Sequence, residues 1–180
     1  MEMHSKKIYI DKIFNGIKKR QEIGFFYRDT PEDGLVLTKH TINAPLKRKN
    51  DLDYLVKVNG KELPLDYICF LKLSDGISLF IDEDEQRPQF YLYSLDYALK
   101  NHEDFLNGDL FAIGEYLDNG ELFIDLSTSK DELYCLELSD GERFEYSFQE
   151  WLNKLIICQG YEFWNFNLKF QMYESIFEDD

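Results

Sequence analysis

Ile10, Ile13, Phe14 and Ile17 recur at helical spacing, and Lys12, Lys18, Lys19 and Arg20 fill the rest of the wheel. This predicts an N-terminal amphipathic helix. A basic amphipathic helix can serve a membrane or a partner, but Asp11 and Gly16 weaken the membrane pattern, so the stripe is expected to pack on the body. Two runs of strand composition follow, Ile23–Tyr27 and Leu35–Thr38, on either side of the turn-rich Arg28–Gly34. They predict a hairpin. Asn50 is placed to cap a short helix reaching Val58, with Asp51 and Asp53 at its positive end. Pro64 suits the first position of a helix over Pro64–Leu73, whose core face is Tyr67, Ile68, Phe70 and Leu71 and whose stop is Gly76.

Beyond Gly76, strands are expected at Ile77–Ile81 and Gln89–Tyr93, around the charged loop Asp82–Pro88. Ser94 can cap a helix over Leu95–His102. Asp109–Ile113, Gly120–Leu126 and Leu133–Leu138 read as consecutive antiparallel strands. Ser147-Phe-Gln-Glu150 has capping-box spacing, which predicts a helix to about Cys158 with Gly160 as its end. The aromatic-rich tail Tyr161–Phe177 matches no one element.

The 180 residues suit one domain with an extension, and a chain of this length buries roughly 70% of its unfolded surface. With 44% hydrophobic and 16% aromatic residues, it is too apolar for a disordered protein. Charge changes the picture more. The net charge of −15 divides unevenly: residues 1–61 hold thirteen basic and eight acidic side chains, a net +5, whereas residues 62–180 hold seven and twenty-seven, a net −20. The larger part should repel nucleic acid and anionic membrane and attract basic surfaces. Cys69, Cys135 and Cys158 lie apart among apolar neighbours, which fits free thiols in a reducing compartment. The first twenty residues lack the apolar core and cleavage site of a signal peptide, so a cytoplasmic location is expected.

Sites for chemistry are sparse. Gly120 is followed by Glu121 and Leu122, where a phosphate loop needs Lys and Ser or Thr. Asp82 and Asp84 sit at calcium-loop spacing, but Gln86 and Arg87 occupy the next ligand and glycine positions. His4, His40 and His102 are scattered, His102-Glu103 lacks the second histidine of a zinc helix, and His102 suits the negative end of its helix. No nucleophile elbow occurs. Trp151 and Trp164 with Tyr161, Phe163 and Phe166 suit core packing better than a groove. In Gly114–Leu126, Asp118-Asn119-Gly120 is a hairpin signal. Alternation puts Leu122 and Ile124 on one face and Glu121, Phe123 and Asp125 on the other, so Glu115, Asp118, Glu121 and Asp125 are not expected to converge. No cofactor, metal or catalytic residue is assigned.

The order of these pieces resembles the SUKH superfamily. LPLDYICFLKLSDG, ISLF, YLYSLDYALKN, LFAIGEYLDNGELFIDL, DELYCLEL and SFQEWLNKL follow one another as in that family, over Asp51 to Trp164. Glu121 stands where the family more often has Asp, and residues 1–50 exceed the usual domain. The resemblance implies an α+β fold, with a mostly antiparallel sheet flanked by helices, and no catalytic activity. It divides the chain into an extension, 1–50, packed on a domain, 51–180, with an aromatic tail. For bacterial members it implies a cytoplasmic immunity protein that neutralises a cognate toxin, such as a nuclease. A nuclease face is basic, so an acidic inhibitor suits it. Asp82, Glu83, Asp84, Glu85, Asp118 and Glu121 are then the expected partner-binding residues. The competing readings are a regulatory or scaffolding module of the same fold and, more distantly, an enzyme using paired carboxylates.

Overall fold

A computed structural model of the chain describes residues 2–30, 34–46, 57–103, 108–117, 120–128, 136–138, 143–144, 146–161 and 163. Among them the helices are α1 (Glu2–Ile23), α2 (Leu65–Leu71), α3 (Leu95–Asn101) and α4 (Phe148–Ile157). The strands are β1 (Phe26–Thr30), β2 (Gly34–Ile42), β3 (Lys57–Val58), β4 (Lys61–Glu62), β5 (Ile77–Asp82), β6 (Pro88–Leu92), β7 (Leu110–Tyr116), β8 (Gly120–Asp125), β9 (Leu136–Leu138) and β10 (Arg143–Phe144). Eight strands form one sheet in the order β1-β2-β5-β6-β7-β8-β9-β10, and every pairing is antiparallel. The architecture is α+β, a helix layer on an antiparallel sheet.

The expected hairpin exists, but its first strand starts three residues later than the run Ile23–Tyr27, because Ile23 ends α1, and its second strand is longer than Leu35–Thr38. Arg28, Asp29 and Thr30 are strand residues, and β2 extends to Ile42. β2 also bonds to β5, so the extension supplies the outer edge of the sheet. The helix expected from Asn50 to Val58 needs correction at its end: Lys57 and Val58 form a strand, and residues 50–56 lie outside the described ones. The reversal into β4 is made by Asn59 and Gly60, both at positive φ (51° and 79°), the pair that a two-residue hairpin favours.

α1 buries Ile10, Ile13 and Ile17 against α2, α4 and β2, so the apolar stripe faces the body. α2 begins after Pro64, which stands at the N-cap rather than inside the helix. Its Tyr67 meets Phe111 and Phe148 edge-on, at 6.4 Å and 5.1 Å, and Trp151 of α4 meets Phe90 of β6 at 5.8 Å. Phe90, Leu92, Leu122 and Ile124 belong to this helix-covered core. Strand alternation turns Tyr91, Glu115 and Glu121 to the opposite face.

One carboxylate joins two helix starts. Asp66 is 2% exposed, and it accepts from the Tyr67 amide (3.0 Å) and from the Gln149 amide in the first turn of α4 (2.9 Å). Ser147 and Glu150 complete that turn as a reciprocal capping box, as the spacing predicts. The orphan amides of α4 are therefore answered from two chain segments, with negative charge at the positive end of the helix.

A second junction ties the extension to the sheet. The β2–β5 register slips between Lys39 and Thr41, and the His40 Nδ1 atom accepts from the Phe80 amide at 3.1 Å. Phe80 holds φ 53°, a conformation that an aromatic residue adopts only under constraint. The His40 ring meets Phe26 and Phe80 edge-on, each at 4.8 Å. Arg20 lies over Phe26 and Arg28 over Phe80, and Arg28 donates to the Gln89 side chain and to the Gln159 carbonyl (3.4 Å). Gly160 (φ 82°) lets the end of α4 close on this cluster, since a Cβ there would come within 2.7 Å of the Phe80 ring. Burial, aided by the Arg20 charge, pulls the His40 pKa down to about 3.

Two outcomes follow from these junctions. Replacing Asp66 with Ala should cost about 2–4 kcal/mol in urea denaturation at pH 7, and Asn, which keeps an acceptor, should cost less. His40 binds its proton more weakly folded than unfolded, so its contribution is complete above about pH 6.5 and is lost as pH falls toward 3. Stability should fall by up to about 1.4 kcal/mol per pH unit in that window beyond what carboxylates cause, and His40→Asn, with an acceptor that does not titrate, should remove that extra slope.

Candidate functional site

Antiparallel order gathers the short turns. The ends of β1, β5, β7 and β9 (Thr30, Asp82, Tyr116, Leu138) and the starts of β2, β6, β8 and β10 (Gly34, Pro88, Gly120, Arg143) lie at one end of the sheet. The β5–β6 turn is built on Asp82, whose Oδ1 accepts from the Asp84 amide (2.7 Å) and the Glu85 amide (3.0 Å). Gln86, at φ 54°, closes it. Asp82 is thus half-buried and holds the turn, while Glu83, Asp84 and Glu85 are exposed. The connecting segments 31–33, 118–119 and 139–142 lie outside the described residues.

On the face turned away from α1, α2 and α4, Tyr91, Glu115 and Glu121 are direct cross-strand neighbours. Two of the four hairpin acids thus meet as a pair, which strand alternation alone did not indicate. Tyr116 pairs with Gly120, so the register is centred on residue 118 and sets Glu115 opposite Glu121. The buried Tyr93 hydroxyl lies 2.8 Å from Glu115 Oε1 and 3.2 Å from Glu121 Oε1, one proton facing two carboxylates. The Asn101 amide donates to Glu121 at 2.7 Å. Burial first, then the Glu115 hydrogen bond and the charges of both acids, push the Tyr93 phenol far above its ordinary value, so it stays a donor. Tyr91 and Tyr97 flank its ring edge-on at 5.6 Å and 4.6 Å.

Beside this strip opens a cavity of about 370 Å³, lined by Arg87, Pro88, Tyr91, Glu115, Tyr116, Leu117 and Gly120. It lies between the β5–β6 turn and the β7–β8 hairpin. Gly114 allows the close approach of β7 to β6, because a Cβ there would come within 2.4 Å of the Tyr91 carbonyl oxygen. Asp125 is apart from this group. It is 5% exposed, pairs with Arg143, and accepts from the Ser127 amide (2.8 Å) and hydroxyl (2.6 Å). Burial raises its pKa, but the Ser127 hydrogen bonds and Arg143 outweigh that and leave it below the usual carboxylate range.

Of the six expected partner-binding residues, Glu83, Asp84 and Glu85 are presented to solvent, Asp82 and Glu121 are engaged within the fold, and Asp118 lies outside the described residues. Sequence reasoning missed Glu115, Tyr91 and Arg87. The signal for Glu115 was its equal distance from residue 118 with Glu121. His102 stands at the C-cap of α3, where the sequence reading put it, and its ring is held by other segments. It is 3% exposed, its Nδ1 donates to the Leu110 carbonyl (3.2 Å), and its Nε2 accepts from the Asn59 amide (2.9 Å). Among the described residues, no three His, Cys, Asp or Glu side chains gather as a metal site requires, and no helix is long and apolar enough to cross a membrane.

Residues 49–154 match the SMI1 / KNR4 family (SUKH-1), and the chain belongs to that family. No curated protein and no solved structure matches it. The matched span starts before β3 and ends within α4, so α1, β1 and β2 lie outside it.

Tyr93→Phe removes the proton between Glu115 and Glu121 and leaves like charges opposed across two strands. It should cost about 1–2 kcal/mol at pH 7 at low salt and less in about 1 M salt, where the repulsion is screened. Urea denaturation at the two salt concentrations reads this difference, and a loss that does not shrink in salt counts against it.

Proposed function

We propose that the chain is a non-catalytic immunity protein, which binds a cognate toxin domain with a basic face, such as a nuclease, and neutralises it in the cytoplasm. Membership of the SMI1 / KNR4 family supports this class. The observation that carries the partner's chemistry is the exposed Glu83-Asp84-Glu85 turn, at the end of the sheet where β1, β7 and β9 also end. Acid presented on short, anchored turns keeps its charge in a fixed place, which favours fast and selective encounter with a basic face.

The test is binding to the toxin domain encoded beside this gene, measured over a salt series. Association should be fast at low salt and slow as salt rises. Replacing Glu83, Asp84 and Glu85 together by Lys should lower the on-rate roughly tenfold or more at low salt, with a smaller effect near 0.5 M, where screening acts within about 4–5 Å. A salt-indifferent on-rate overturns the electrostatic part, and absence of binding overturns the pairing.

A further inference from the structure

We infer that the cavity between the β5–β6 turn and the β7–β8 hairpin receives one arginine side chain of a protein partner. This rests on the protein-binding reading above and names the group that would anchor it. The cavity, at about 370 Å³, has room for a long side chain. Its lining divides by chemistry. Pro88 and Leu117 offer apolar surface for a methylene stem, Tyr91 offers a ring, and Glu115 offers a carboxylate.

Charge decides what the head must be. Glu115 is exposed and forms no ion pair among the described residues, and Glu121 stands directly opposite it on β8. The Tyr93 hydroxyl offers one proton to the two acids, which leaves Glu115 with acceptor capacity toward the cavity. Among the described residues, Arg87 is the one basic residue in the lining, and it leaves the same turn that carries Glu83, Asp84 and Glu85. The summed field therefore favours a cation. A guanidinium uses this set better than an ammonium. It can take both oxygens of a carboxylate in its planar fork and lie against a tyrosine ring, and it is more weakly hydrated, so it loses less on entering. The Tyr91 ring is fixed for this by its edge contact with Tyr93, which is itself packed on Tyr97.

The experiment uses capped arginine, N-acetyl-arginine amide, titrated into the intact protein and followed by amide chemical shifts. Saturable shifts are expected at Tyr91, Glu115, Leu117 and Gly120. N-acetyl-lysine amide should bind at least about threefold more weakly. Glu115→Gln should weaken arginine binding about five- to tenfold, and Arg87→Ala should strengthen it about two- to threefold, since it removes the competing cation. No saturable shift at these residues, or equal binding by Glu115→Gln, overturns the inference. The toxin assay separates the two readings: capped arginine bound without a toxin partner sinks the proposed function alone, and toxin bound with no arginine response sinks this pocket alone.

Discussion

The Asp66 carboxylate constrains this fold more than any other single polar group. A charge taken almost completely out of water must be met by donors, and the donors here are backbone amides in the first turns of α2 and α4. Those helices are distant in sequence, so the carboxylate fixes their starts relative to one another. The aromatic packing then follows. With both starts fixed, Tyr67, Phe70 and Phe148 meet as a cluster, and Trp151 reaches Phe90 on the sheet.

The sheet has a division of labour that follows from its meander. Connections that carry helices or the β3–β4 hairpin run at one end, between β2 and β5 and between β6 and β7. Short reversals fall at the other end. Acidic residues suit short turns because Asp can bond to its own following amides, as Asp82 does. Local turn chemistry and a concentration of negative charge thus arise from the same residues. The structure of the turn requires Asp82, whereas the side chains of Glu83, Asp84 and Glu85 are exposed.

Helix ends were the most legible part of the sequence, because caps act over three or four residues. Ser94 and Ser147 both accept the amides their spacing predicts. Strand limits were less legible where polar residues lie on the covered side. Arg28 does not look like a strand residue, yet its guanidinium lies over Phe80 with side-chain and carbonyl acceptors around it. The β3–β4 hairpin was hidden because each strand has two residues, although Asn59-Gly60 announced its turn. The acidic strip depended on register. Alternation correctly puts Glu121 on the face away from Leu122, but only the loop length between β7 and β8 puts Glu115 opposite it. Arg87 and Tyr91 join that strip through tertiary placement, for which single-residue patterns give no signal.

The pairing of β2 with β5 separates two units that are easily equated. Kinship, as the matched span defines it, begins at residue 49, yet the strand that borders β5 on its outer side comes before that point. The Phe80 amide also finds its acceptor, His40, outside the span. The span that matches the family is therefore smaller than the sheet that closes here. Without β2, the edge of β5 would be open and would need another strand or charges that forbid pairing. The leading segment is, in that sense, tied to the matched span by hydrogen-bond closure.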